Sequence, residues 1–279
     1  MKTIHKTAIS AAAVALLTGL ASSAAFAADE PAAPEVSPVT ANVTVTNNYI
    51  YRGLTQSNYK PAIQGGFDYA HESGLYIGNW NSSISWVSDS AIAKSAPIEM
   101  DFYGGFKKDL IAEGFASDFG ILQYYYPTNG ISTASGYVNP NTTELYVAQN
   151  ATFGPVTGFL KFSYSLSNTF GTNNSTGSNY TDLTANYDTG FYGITVNAHA
   201  GFQKIAGQYY SAGQASLSYA DWKLGLTKDF GGGLSASAAY VGTNVKQGSG
   251  SYAGVYAYSV PGGRTQGGNT GLISLTKTF

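Results

Sequence analysis

The sequence predicts an all-β protein, a transmembrane antiparallel up-and-down β-barrel of about twelve strands. Three observations predict it. Short segments alternate apolar and polar residues with a period of two. The connections between them are short and long by turns, which is the parity of periplasmic turns and extracellular loops. Beyond the first 27 residues, no stretch is apolar for the roughly 20 residues that a membrane helix needs. A chain of this kind crosses a bilayer only by pairing its backbone groups in a closed barrel.

Composition points the same way. Charged residues make up 11% of the chain, against 34 glycines and 22 tyrosines, too few charges to clothe a soluble domain. Cysteine is absent, which removes disulfides, thiolate chemistry and Cys-based metal sites.

Taken in order, Lys2 and Lys6, the apolar stretch from Ala8 to Leu20 and the Ala25-Phe26-Ala27 site read as a cleaved signal peptide, residues 1–27. Losing Lys2 and Lys6 moves the formal charge from −2 to −4, which argues against nucleic acid as a partner. Residues 28–38, with Pro31, Pro34 and Pro38 and no periodicity, read as a flexible periplasmic leader. Residues 39–279 then form one barrel domain. Its strands are expected near 39–51, 61–70, 74–85, 97–107, 115–126, 142–153, 156–167, 180–188, 193–204, 211–228, 233–243 and 271–279. An even count returns both ends of the barrel to one side.

Facing follows from the period. Ile98, Met100, Phe102 and Phe106 share one face, and Glu99, Asp101, Tyr103 and Lys107 the other. Leu160, Phe162, Tyr164 and Leu166 oppose Lys161, Ser163 and Ser165. Ile194, Val196, Ala198, Ala200 and Phe202 oppose Thr195, Asn197, His199 and Gln203, while Leu183, Ala185 and Tyr187 oppose Asp182, Thr184, Asn186 and Asp188. The expected turns at 71–73, 108–114, 154–155, 189–192 and 229–232 are short. The expected loops at 52–60, 86–96, 127–141, 168–179, 205–210 and 244–270 are longer. Aromatics near strand ends, Tyr49, Tyr51, Trp80, Trp86, Tyr124 to Tyr126, Phe153, Phe191, Tyr192 and Trp222, are expected at the headgroup level. The chain ends on Phe279, a terminal aromatic similar to the signal read by the barrel assembly machinery, although Lys277 stands where an apolar residue is usual.

The stretch from Asn42 to Trp80 resembles the N-terminal part of the TorF family of porins. It carries Tyr49, Arg52-Gly53 and Thr55-Gln56, then Pro61, Gln64-Gly65-Gly66-Phe67, Tyr69, His71, Ser73-Gly74, Tyr76, Gly78 and Trp80. The remainder is similar in strand rhythm and in Phe279. The resemblance implies an outer-membrane barrel that forms a pore, and it carries over no binding site.

The expected activity is passive diffusion of small polar solutes or ions through the lumen, with no enzyme chemistry and no cofactor. Outer-membrane lipid and the assembly machinery are the expected partners, and no sequence feature specifies an oligomer. Candidate lumen charges are Glu99, Asp101, Glu144, Asp182 and Asp188, opposed by Lys107, Lys161 and Lys223, with His199 among them. Rings of such groups set ion preference, and their acidic excess points to weak cation preference. The same groups alternatively pair with one another and satisfy the wall. Arg52 opens the first long loop, placed either to narrow the mouth or to fasten the loop to carboxylates.

Two further readings stay open. A closed barrel used in adhesion or envelope structure would suit the Asn-, Ser- and Tyr-rich loops. An outer-membrane esterase would use His71 and Ser73, two residues apart on one strand face. His71 and His199, the histidines left after leader removal, lie in different strands and match no metal-ligand spacing.

Overall fold

The computed structural model describes residues 37–89, 95–127, 129–130, 138–207, 217–245 and 264–279. The signal peptide, residues 28–36 of the leader and residues 246–263 of the last long connection lie outside the described residues. Period-two alternation becomes strands throughout. In chain order these are β1 (Val39–Thr46), β2 (Ile50–Tyr51), β3 (Leu54–Thr55), β4 (Ala62–Ala70), β5 (Leu75–Ser83), β6 (Ile98–Ala112) and β7 (Phe115–Tyr125). They continue with β8 (Thr142–Phe153), β9 (Val156–Ser165), β10 (Asn179–Asp188), β11 (Ile194–Lys204), β12 (Tyr219–Gly231), β13 (Leu234–Thr243) and β14 (Thr270–Thr278). Strand β1 and strands β4 to β14 close one antiparallel barrel of twelve, with β1 hydrogen-bonded to both β4 and β14. Closure leaves no open edge in lipid. Strands β2 and β3 form a separate two-stranded hairpin.

Three strands differ from the sequence expectation by more than two residues, the first two for a local reason. The first strand stops at Thr46, not at residue 51, because Asn47 takes over the ladder with its side chain. Asn47 Oδ1 accepts from the Ile273 amide at 2.8 Å and Asn47 Nδ2 donates to the Gly271 carbonyl at 3.1 Å. Strand β6 runs five residues beyond the expected end, to Ala112, with a register shift between Asp109 and Ala112 and the Gly114 amide donating to the Asp109 carboxylate. The tenth barrel strand, β12, begins at Tyr219 and runs to Gly231, later at both ends than expected.

Outward side chains are apolar and uncovered: Ile77 is 64% exposed, Leu183 55% and Ile273 65%. Such a belt around a closed barrel is a lipid-facing surface, and the wall is of the outer-membrane kind. The inner face is polar and aromatic. Here glycine and tyrosine work as pairs across neighbouring strands. Tyr103 lies over Gly78, Tyr76 over Gly105 and Tyr146 over Gly120. A methyl group at Gly120 would stand 2.4 Å from the Tyr146 ring, so a side chain there would lift the ring off the wall.

These rings correct the aromatic-girdle expectation. Tyr125, Phe153, Phe191, Tyr192 and Trp222 do face outward. Tyr49, Trp80, Tyr124 and Tyr126 are instead buried inside the barrel, with Tyr51 and Trp86 packed against them. Edge-on contacts join Tyr49 to Trp80, Trp86 to Tyr126 and Tyr51 to Tyr124. The half of the lumen beside β4 to β8 is filled by this cluster.

Candidate functional site

The site is built on the first long loop, which folds into the barrel. Strands β2 and β3 are joined by Arg52-Gly53 alone, with Tyr51 opposite Leu54. A two-residue hairpin turn of this hand needs positive φ at both positions. Gly53 adopts φ 75° freely, and Arg52 adopts φ 46°, a conformation that costs a non-glycine residue energy. Gly53 is also required by space, since a Cβ there would lie 2.4 Å from Thr243 Cγ2 and 2.5 Å from Asp221 Cβ. The hairpin tip therefore presses against the wall of β12 and β13.

Arg52 is what the turn delivers. Its guanidinium donates to both oxygens of Glu144, at 3.0 and 2.7 Å, and to Gln203 Oε1 at 2.9 Å. It stacks 4.3 Å from the centre of the Tyr180 ring. The loop is held elsewhere too. The Ser85 and Trp86 amides donate to the Gln56 carbonyl, the Thr55 amide to Gln266, and Asn58 and Lys60 both reach Asp89.

Each sequence-selected group can now be placed. Glu99, 2% exposed, accepts from the Tyr49 and Tyr126 hydroxyls at 2.6 Å each. Asp101 is fully buried between Trp80 and Tyr124 in the cross-strand register, and neither oxygen meets a donor among the described residues. Glu144, 1% exposed, is the partner of Arg52. Lys107 stands opposite Asp118 in register. Asp188 differs from the expectation for a lumen charge. It ends β10 and accepts from the Gly190 amide at 2.9 Å, so its carboxylate caps a turn. Arg52 lies within the barrel, not at its outer rim, because the hairpin that carries it folds inward.

Lys161, Asp182, His199 and Lys223 do come together, as a belt across β9 to β12. Lys161 is opposite Asp182, and His199 opposite Lys223. His199 Nδ1 is 2.9 Å from Asp182 and its Nε2 2.8 Å from Asp221. Tyr180 donates to the same Asp221 carboxylate at 3.0 Å. The belt lines a cavity of about 140 Å³ between the hairpin and β9 to β13. A second cavity, of about 70 Å³, shares Ile50, Lys223 and Leu272 with the first and is otherwise lined by groups such as Thr44, Gln64, Thr227 and Ser274. Sequence reasoning passed over Asp118, Tyr180 and Asp221, and it placed Gln203 on the inward face without counting it among the site residues. The alternation with Phe119 and Ile121 outward marks Asp118 as inward, and the Trp222-Leu224-Leu226 alternation does the same for Asp221.

His71 and Ser73 also meet, with Nδ1 and Oγ 2.9 Å apart. Both are exposed on the short turn between β4 and β5, where the Ser73 amide donates to the same Nδ1 and the Leu75 amide to Ser73 Oγ. Phe279 extends the closure of the barrel, its amide donating to the Ala41 carbonyl at 2.8 Å.

The model of the family described as bacterial protein of unknown function (Gcw_chp) matches residues 28–279. The chain belongs to the Gcw_chp family. No curated protein sequence matches it. Among solved structures, this Gcw_chp barrel is similar to the NanC porin, with 9% identity, a TM-score of 0.53 and coverage of 86% of this chain and 98% of that one. It is also similar to a KdgM porin in complex with disordered oligogalacturonate, with 7% identity, a TM-score of 0.49 and the same two coverages. At 9% identity the likeness to the NanC porin is one of fold.

Proposed function

We propose that this Gcw_chp chain is a narrow outer-membrane diffusion pore of the TorF type, exported by the leader cleaved after Ala27 and inserted with Phe279 as its assembly signal. Small polar solutes or ions would cross between the inward hairpin and the β9 to β14 wall, without covalent chemistry. The observation that carries this reading is the pair of cavities beside the hairpin, each lined by polar as well as apolar groups. Barrels of eight strands are filled by side chains and those of 16–18 leave wide channels, so twelve strands with an inward loop suit a constricted path.

The test is single-channel conductance of the folded mature chain in a planar bilayer. Discrete steps absent from a detergent control support the pore. Silence from protein verified as a folded barrel would favour a closed barrel acting in adhesion or envelope structure, a reading that the aromatic filling beside β4 to β8 supports. The esterase alternative rests on the His71–Ser73 contact, and phospholipid hydrolysis abolished by Ser73→Ala would revive it.

A further inference from the structure

We propose that the passage between the hairpin and β9 to β13 prefers anions, so that its solutes are small negatively charged molecules such as carboxylates; this rests on the pore reading above. The sequence shows an acidic excess, but the fold does not expose it to the cavity. Glu99, Asp101 and Glu144 are sealed beneath tyrosines and Arg52. Of the carboxylates that do line the cavity, Asp182 and Asp221 are both committed to His199, with Thr184 and Tyr180 as further donors. An imidazole facing a carboxylate through each nitrogen is satisfied when both nitrogens donate, which makes it a cation. That cluster then carries one net negative charge. Lys161 on β9 and Lys223 on β12 face the same cavity, and the Lys161 ammonium lies over the Tyr146 ring at 4.0 Å. Arg52 is neutralised by Glu144. Among the described residues, the ionised groups lining the cavity therefore leave an excess of one positive charge, in a confined space whose low-dielectric wall focuses the field.

The experiment is the reversal potential of the folded mature chain under a tenfold KCl gradient. The expected chloride-to-potassium permeability ratio is above one. Lys161→Gln and Lys223→Gln should each lower it about two- to fivefold, the effect of one charge near a passing ion in a watery path. Lys161→Met, which keeps the stem packed on Tyr146, guards against a folding defect. Lys108→Gln, at the exposed end of β6, should leave the ratio unchanged. A cation-side potential in the unaltered protein, or a ratio insensitive to both lysines, overturns the anion preference and leaves the pore standing. A folded barrel that never conducts overturns the pore and the preference with it.

Discussion

Replacing Arg52 with alanine tests whether one buried ion pair holds the constriction in place. The guanidinium is half of a bidentate pair whose side chains are 5% and 1% exposed. It also donates to Gln203 and stacks on Tyr180. Among the described residues, truncation leaves Glu144 with two long contacts, the Tyr124 and Ser165 hydroxyls at 3.4 Å. An uncompensated buried charge of this kind costs about 3–5 kcal/mol, and the lost cation–π stacking lies within that figure, not on top of it. Removing both partners, as in Arg52→Met with Glu144→Met, should restore much of the loss because no orphan charge remains. Stability would be read by urea unfolding in lipid vesicles through the fluorescence of Trp80 and Trp86, which flank the hairpin. Conductance would be read in parallel. The single variant should unfold at lower urea and conduct more, since the hairpin has lost its anchor. The double variant should regain stability while keeping the higher conductance. A loss below about 1 kcal/mol in the single variant, with conductance unchanged, would mean that backbone bonds at Gln56 and Thr55 hold the hairpin and that the ion pair is incidental.

Other consequences are as direct. Leu183→Arg, on the lipid-facing middle of β10, should cost about 2–4 kcal/mol in refolding titrations. Asn197→Arg should cost stability as well as alter conduction, because Asn197 is buried and bonded to both Asn186 and Thr227; an unchanged unfolding midpoint would contradict that placement. Asp101→Leu should raise stability, by about 1–3 kcal/mol, since it replaces a buried carboxyl that lacks a donor among the described residues with a side chain that needs none; a loss in urea unfolding would reveal a partner. At Asp89, burial pushes the carboxyl up, but hydrogen bonds from Asn58 and Lys60 hold it, on balance, below the ordinary carboxylate range. Its clamp on the first loop is therefore present above the unfolded value near about 3.9 and is lost as pH falls through the lower folded one. Exchange protection of the Ser85 and Trp86 amides, which donate to Gln56, should drop in acid in the native chain, while Asp89→Asn shows no such drop.

The wall was legible in the sequence because lipid enforces it. A strand that exposes alternate residues to hydrocarbon must keep Phe102, Leu160, Leu183 and Ile273 apolar, so their period survives in the chain and sets twelve strands, their faces and the parity of turns. The aromatics were harder, because a tyrosine near a strand end suits a headgroup belt and an inner packing layer equally well. Proximity to strand ends sent Trp80 and Tyr124 outward. The period sends them inward: Leu75 and Ile77 outward put Tyr76, Gly78 and Trp80 inside, just as Phe119 and Ile121 outward put Tyr124 inside. Glycine opposite tyrosine was the unused signal, since a ring needs a bare neighbour to lie flat against the wall.

The candidate site was less legible, because its partners are far apart in the chain. Arg52 and Glu144 are 92 residues apart and Arg52 and Gln203 are 151 apart, so no local pattern joins them. What the sequence did carry was the turn. Arg52-Gly53 is a dipeptide fit for a tight hairpin, and a tight hairpin in a loop facing water has no need of a buried guanidinium. Once β12 and β13 leave room at Gly53 for backbone alone, the hairpin tip has one seat, and that seat brings Arg52 to the carboxylate that the β8 alternation turns inward. The same alternation that hides apolar groups from water thus places the acid, and the strain at Arg52 is offset where the two charges meet.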